Sequence, residues 1–363
     1  MPPSGNGKKR ILLCGEAPGH NEDDKGIQFV GQSGKLLESI LEDIGIDMRR
    51  DCWITNSLLC HPEGNIIKNN RSIEYCRPNL VRAIKELQPE VIIPLGARAV
   101  QSLIGWLWKE DIGSFNRWIG WQIPSQQINA WICSTWHPAY LLRGVEENSE
   151  LLEREFTKHL KAATSLVGRP WDKVPDWTTK IQRILDEDKA AEAITKLLHE
   201  KPEMLAFDYE TNMLKPDSAD AKIISCAISD GKTTIAYPWY GESINQTKVM
   251  IQSKIPKIAS NLKFEERWTI KAFGIPVTNW KLDTMIASHV LDNRVGINSV
   301  KFQAFVLLGI GSYDKQIKEY FQAKAANEVN RIKEIPIDSL LLYNGLDALL
   351  EYKVAKIQMK LLL

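Results

Sequence analysis

The chain has 363 residues, enough for two domains that each bury a core of their own. Its 46 Lys and Arg against 45 Asp and Glu leave a net charge of +1, which excludes a global basic field for nucleic acid and leaves room only for local basic grooves. No apolar run reaches 18 residues, so no membrane span is expected. Cys14, Cys52, Cys60, Cys76, Cys133 and Cys226 form no C-x-x-C pair and no secretory segment opens the chain, so reduced thiols and a cytoplasmic setting are expected.

In chain order, "RILLCGEAPG" reads as a buried strand ending in a Gly/Pro turn, and "GKLLESILEDIG" as a helix with apolar spacing of three and four. "CWITNSLLC" is strand-like, "SIEYCRPNLVRAIKELQ" helical, "PEVIIPLG" a buried strand, "ARAVQSLIGWLW" helical, and "AWICSTWHPAYLL" a strand leaving into a loop. This alternation describes an α/β layered domain with a mostly parallel sheet. A further helix near "LEREFTKHLKAATSLV" completes residues 8–167. Aperiodic Pro, Gly and Trp mark 168–180 as a linker. The second domain, 181–363, runs helix "KAAEAITKLLHE", strands "EMLAFDYET", "AKIISCAIS" and "KTTIAYPW", then helices to the end.

The stretch "GEAPGHNEDDKGIQFVGQSGK" behind the first strand invites a phosphate-loop reading, which fails. Phe29 stands where G-x-x-x-x-G-K-[ST] needs its first Gly and Leu36 where it needs Ser or Thr; Ala17 occupies the second glycine of G-x-G-x-x-G. Glu16, Glu22, Asp23 and Asp24 would also repel a phosphate, so acid/base or water-positioning chemistry fits better. Asn56 ends a second strand, His137 follows another, and Phe29 sits in the loop after the first. Ligands of open α/β sheets bind outside such carboxyl ends, where these residues converge.

The ordered set "GEAPGHNEDDKGIQFVG", "ITNSLLCHPEGN", "EVIIPLGARAV" and "HPAYLLR", over Arg10 to Arg143, resembles the family 4 uracil-DNA glycosylases. The resemblance implies a three-layer α/β domain that takes a flipped uracil. Phe29 would stack on the base, Asn56 satisfy its O4 and N3–H, and His137 stabilise charge developing at O2. Glu16 or Glu22 would hold the attacking water as the sugar approaches an oxocarbenium ion, while Gly15 and Ala17 let backbone approach the base. The family commonly carries a 4Fe–4S cluster on four cysteines. Only Cys60 and Cys76 match, and "MPPSGNGKK" holds no cysteine, so a complete cluster is not expected.

In the second domain, Asp208 and Glu210 of "AFDYET" lie two apart on a strand and share a face. Tyr343 and Asp347 of "LLYNGLDALLEYKV" lie four apart on a helix. Glu265 of "NLKFEERW" offers a third acid site, with Glu266 and Asp283 in reserve. Such carboxylates need cations between them, and two Mg²⁺ or Mn²⁺ ions held by Asp208, Glu210, Glu265 and Asp347 would activate water and stabilise a leaving 3′-oxygen, with Tyr343 orienting the water. This half, about Met204 to Tyr352, resembles the DEDDy proofreading 3′–5′ exonucleases attached to family A DNA polymerases. The resemblance implies a ribonuclease H-like α/β fold. Glu265 stands where better-known members have Asp.

The expected partners are DNA, as single strands, 3′ ends and uracil-containing chains, and a DNA polymerase domain or subunit, in a bacterial or phage-infected cell. A different reading keeps the exonuclease and makes the glycosylase-like domain an inactive uracil-binding or processivity module.

Overall fold

The structure, a computed structural model, describes residues 1–67, 70–143, 149–169, 171, 173–325 and 328–363. The chain divides into two units, Met1–Lys173 with Phe305–Gly311, and Val174–Ala304 with Ser312–Leu363. Residues 170 and 172 of the expected linker lie outside the described residues.

The first unit is built on β1 (Ile11–Gly15), β2 (Cys52–Asn56), β3 (Val91–Pro94), β4 (Ile123–Ser125) and β5 (Ala130–Ile132) in the order β2-β1-β3-β5-β4. β2, β1, β3 and β5 run parallel, and only β4 is antiparallel. Ile11, Leu12, Leu13, Val91, Ile92 and Ile93 are fully buried, as strands covered on both faces require. The helix Gln32–Asp43 turns Leu37, Ile40 and Leu41 into that core, where they meet Phe156 and Leu160 of the helix Ser149–Thr164. The expected strand through "AWICSTWHPAYLL" is shorter than its apolar run. It ends at Ile132, and Pro138–Leu142 is a helix whose first-turn proline has no N–H to lose.

The second unit carries β6 (Ile181–Arg183), β7 (Leu205–Thr211), β8 (Ile223–Ser229), β9 (Thr234–Pro238), β10 (Lys257–Ala259) and β11 (Trp280–Asp283), ordered β11-β10-β7-β8-β9-β6. β7 pairs antiparallel with β8 and parallel with β10. The long helix Ile337–Leu361 packs across β7, β8 and β9, burying Leu341, Ala348 and Leu349 against Ala227 and Ala236. That packing brings the acidic face of the helix onto the acidic face of β7. β6, β10 and β11 escape the sequence reading because three or four residues are too short to display a period of two.

Candidate functional site

In the first unit a cavity of about 370 Å³ is lined by Glu16, Ala17, Glu22, Phe29, Asn56 and His137, joined by Ser33, Asn65 and Arg143. These side chains leave the carboxyl ends of β1 and β2 and the segment after β5. Gly15, the last residue of β1, has no room for a side chain: a Cβ would stand 2.3 Å from Asn56 Oδ1 and 2.7 Å from the Phe29 ring. Its smallness therefore sets the approach of the two residues.

Phe29 adopts φ 53°, a left-handed conformation that disfavours a bulky residue unless its surroundings fix it. They do so from both sides. Glu22 Oε1 accepts the N–H groups of Val30 at 3.0 Å and Gly31 at 2.8 Å, while the Arg49 guanidinium donates to Phe29 O at 3.0 Å. A Cβ on Gly34 would lie 2.1 Å from Phe29 O, so the helix start and the loop close together only with glycine there. The ring is buried and stacks on His137 with centroids 5.9 Å apart.

His137 caps the helix Pro138–Leu142, its Nδ1 accepting Ala139 N–H at 3.2 Å. Burial lowers its pKa, against the opposing pull of the Glu16 charge. A neutral ring that accepts at Nδ1 carries its proton on Nε2, the tautomer needed to donate to an oxygen. Glu16 Oε1 accepts Arg98 N–H at 3.1 Å in the first turn of the helix Ala97–Leu107. Gly96 makes this approach possible, since a Cβ there would stand 2.6 Å from Glu16 Oε1 and 2.8 Å from His137 Cβ. Sequence reasoning missed Ser33, Asn65 and Arg143, polar residues of ordinary appearance whose only signal is proximity in the fold.

The cysteines do not fit an iron–sulfur cluster. Cys14 and Cys52 are buried within β1 and β2, where burial pushes their thiols up to about 12, and Cys133 is buried beyond β5. Only Cys60 is exposed and Cys76 partly so, and Cys226 is buried in the second unit. Thiolate ligation requires four convergent, ionisable sulfurs.

In the second unit, oxygen atoms of Asp208, Glu210 and Asp347 lie within 4.8 Å of one another, the donor set a hard divalent cation takes. Burial is the main force raising the pKa of all three; the Asp347 charge adds to it at Asp208, and the Asp208 charge at Glu210. Asn344, one residue after Tyr343, donates from Nδ2 to Asp208 Oδ2 at 2.6 Å and receives the Ser225 hydroxyl at 2.9 Å, which fixes the carboxylate's orientation. Asp347 accepts the Tyr313 hydroxyl, and the Tyr313 and Tyr343 rings lie with centroids 6.0 Å apart. Lys301 Nζ sits 5.0 Å from the centre of the Tyr343 ring. Asn344, Tyr313 and Lys301 were invisible in the sequence because nothing in its local periods ties them to the acids.

Glu265 is 1 % exposed and stands outside the three-carboxylate set. Glu266 accepts Val277 N–H and Trp280 Nε1–H, and Asp283 accepts the backbone N–H groups of Asn261, Leu262, Met285 and Ile286. Both reserve acids are thus engaged in holding helix and strand ends.

Two stretches of the chain match known families in order. A model described as the uracil DNA glycosylase superfamily matches residues 2–161, and one described as a 3′–5′ exonuclease of the DNA polymerase A type matches residues 181–362. The type-4 uracil-DNA glycosylase of Saccharolobus solfataricus is 35% identical over 168 residues, covering 46% of this chain and 76% of that protein. A DNA polymerase of Bacillus phage SP01 is 24% identical over 383 residues, covering 98% of this chain and 40% of that protein. Among solved structures, the catalytic core of RRP6 from Trypanosoma brucei gives a TM-score of 0.40 at 18% identity over 50% of this chain and 46% of that one. The chain belongs to the type-4 uracil-DNA glycosylase family through its first unit and to the 3′–5′ exonuclease family through its second. It is an enzyme of DNA repair that carries both classes. Among the described residues no helix is long and apolar enough to cross a membrane.

Proposed function

We propose that the chain excises uracil from DNA at the Phe29–Asn56–His137 cavity and, with Mg²⁺ or Mn²⁺, hydrolyses DNA from its 3′ end at the Asp208–Glu210–Asp347 cluster. The convergence of stacking, amide and imidazole groups on one cavity supports the first activity. In this reading the flipped base stacks on Phe29 and pairs with the Asn56 amide. The bond from C1′ to the base breaks, the base leaves as an anion stabilised at O2 by His137 Nε2–H, and water oxygen bonds to C1′ as its proton passes to a carboxylate. Glu16 is the better carboxylate for that water, because Glu22 already holds the loop behind Phe29. A thymine methyl would press on the wall beside Phe29, so uracil-containing strands should bind more tightly.

At the second centre the three carboxylates would hold the cations that polarise water and the leaving 3′-oxygen, and Tyr343 would orient the attacking water. Asn344 and Ser225 keep Asp208 in place for that task. The whole-length similarity to a phage polymerase supports work beside a DNA polymerase. Reading uracil in a template and trimming the 3′ end opposite it would then serve one machine that avoids copying deaminated cytosine. The test is a 5′-labelled single strand with one internal uracil. In EDTA, alkali-labile cleavage at the uracil is expected; in Mg²⁺, loss of mononucleotides from the 3′ end. Cleavage that fails in both conditions overturns the reading.

A further inference from the structure

We propose that the first unit carries a second nucleic-acid site, a groove for single-stranded DNA at the end of its sheet opposite the glycosylase cavity. The inference stands apart from both activities above, since none of its residues belongs to either centre. β1, β3 and β5 run parallel, so the residues that precede them gather at one end of the sheet and the cavity residues that follow them at the other. Arg10 leads into β1, Glu90 into β3 and Asn129 into β5. The 5 residues of β1 put about 16 Å of strand between the two ends. Two cavities open at the far end. One of about 440 Å³ is lined among others by Arg10, Lys85, Trp106 and Gln127, the other of about 320 Å³ by Glu90, Trp131, Arg169, Trp171 and Lys173, and Asn129 borders both.

The lining combines the two features that hold an unpaired strand without regard to sequence: cations for the phosphates and aromatic rings for the bases. Arg10, Lys85, Arg169 and Lys173 share this lining with one acid, Glu90, whose oxygens already take the Gly168 N–H at 2.8 Å and the Arg10 guanidinium at 3.3 Å. Lys85, Arg169 and Lys173 have no acid partner among the described residues. A net charge of only +1 for the whole chain thus hides a local positive groove. Trp131 and Trp171 pack edge to face with centroids 5.3 Å apart, so whichever ring gives its edge keeps both faces clear of the other. Both are partly exposed, and Trp131 Nε1 donates to Arg169 O at 2.9 Å, which pins the segment carrying Arg169 beside the start of β5. The rim of the larger cavity is stiff. Arg10, Gln88 and Asn129 take φ 55°, 49° and 52°, left-handed angles that residues other than glycine keep only where their surroundings fix them. Arg10 Nη2 donates to Gln88 O at 2.6 Å, and Arg10 O receives Glu90 N–H at 2.8 Å. A surface set in advance binds at a lower ordering cost. Duplex DNA meets the cations but keeps its bases stacked on one another, so unpaired bases alone use the ring faces as well.

The test is binding of a fluorescein-labelled, thymine-only strand of about 15 nucleotides by the full chain. EDTA is present throughout, so neither uracil nor metal enters the measurement. Wild type should bind with a strong salt dependence. Lys85→Ala with Lys173→Ala should flatten the slope of log K against log salt by about 1.4, the value for two phosphate contacts on a single strand, and weaken binding about tenfold or more at 0.1 M salt. Trp171→Ala should weaken binding about fivefold or more with the slope unchanged, and Trp171→Phe, which keeps a ring, should recover most of that loss. Affinity and slope equal to wild type in both the lysine pair and Trp171→Ala would overturn the proposal. Tighter binding of a duplex of the same length would overturn it too, as would an adenine-only RNA that binds more tightly than the matching DNA. Displacement of the strand by poly-glutamate at equal charge, with Trp171→Ala without effect, would make the partner an acidic protein surface and equally overturn it. Should Trp171→Ala lower the melting temperature, the two lysine substitutions, both of exposed side chains, decide the matter through the salt slope.

Discussion

The glycosylase cavity and the exonuclease cluster solve the problem of buried polar chemistry in opposite ways. Around the cavity the protein satisfies its own groups: Glu16 by Arg98 N–H, Glu22 by the Val30 and Gly31 N–H groups, His137 by Ala139 N–H. Around the cluster the acids crowd together, and burial raises their pKa values. The first centre is preorganised by hydrogen bonds and needs only substrate. The second is an arrangement of like charges whose stable, active form requires cations.

Chelation should separate the two most sharply. EDTA, or Asp208→Ala with Glu210→Ala, should lower 3′-end digestion by roughly a thousandfold or more, since a bound metal contributes several kcal/mol to the transition state. Uracil excision should be unaffected by either treatment. Digestion that persists at its full rate in saturating EDTA would remove the metal from the second centre and dissolve the contrast.

Next in size, Asn56→Ala and His137→Ala should each cost excision about a hundredfold, the usual loss when a positioned donor to a developing anion is removed. Exonuclease rates on the same preparations should match wild type. An excision rate within twofold of wild type for both variants would mean that the cavity is not where the bond breaks.

These centres were unequally legible in the sequence. Asp208 and Glu210 announced themselves through a strand's period of two, and Asp347 with Tyr343 through a helical turn. Phe29, Asn56 and His137 were found from their places after buried apolar runs. Glu22 carries a duty that its charge alone does not display: its Oε1 holds two backbone N–H groups of the Phe29 loop, a contact that depends on φ 53° at Phe29 and so on tertiary structure. Lys301, Tyr313 and Asn344 reach the acids only through the fold, and no local pattern marks them.

That assignment of the two glutamates supplies a smaller test. Glu22→Gln retains an oxygen acceptor for Val30 and Gly31 and should slow excision only a few-fold, whereas Glu16→Gln, which keeps the bond to Arg98 N–H and loses the charge that accepts a proton, should slow it about tenfold to a hundredfold. Kinetics on a uracil-containing strand under single-turnover conditions measure both. Equal losses would return Glu22 to the catalytic set.

The smallest effect expected is that of pH on excision, and its sign follows from His137. Burial lowers the pKa of this ring below the ordinary value of about 6.5, and the Glu16 charge only partly offsets the shift. The unfolded chain therefore takes up a proton at this position before the folded one does, so the stability His137 confers is held above about pH 6.5 and is lost as pH falls through that region. For catalysis the neutral ring, accepting from Ala139 N–H at Nδ1 and donating from Nε2, is the form present throughout the neutral range. Excision should then change by less than about threefold between pH 6 and 8, and decline only in stronger acid, where the ring charges and the Ala139 contact is lost. His137→Gln, a neutral donor of similar reach, should retain more activity than His137→Ala. A rate that climbs steadily as pH drops from 8 to 6, with His137→Gln as inactive as His137→Ala, would show that the leaving base is stabilised by an imidazolium instead, and would place a charged donor in a cavity whose burial opposes it.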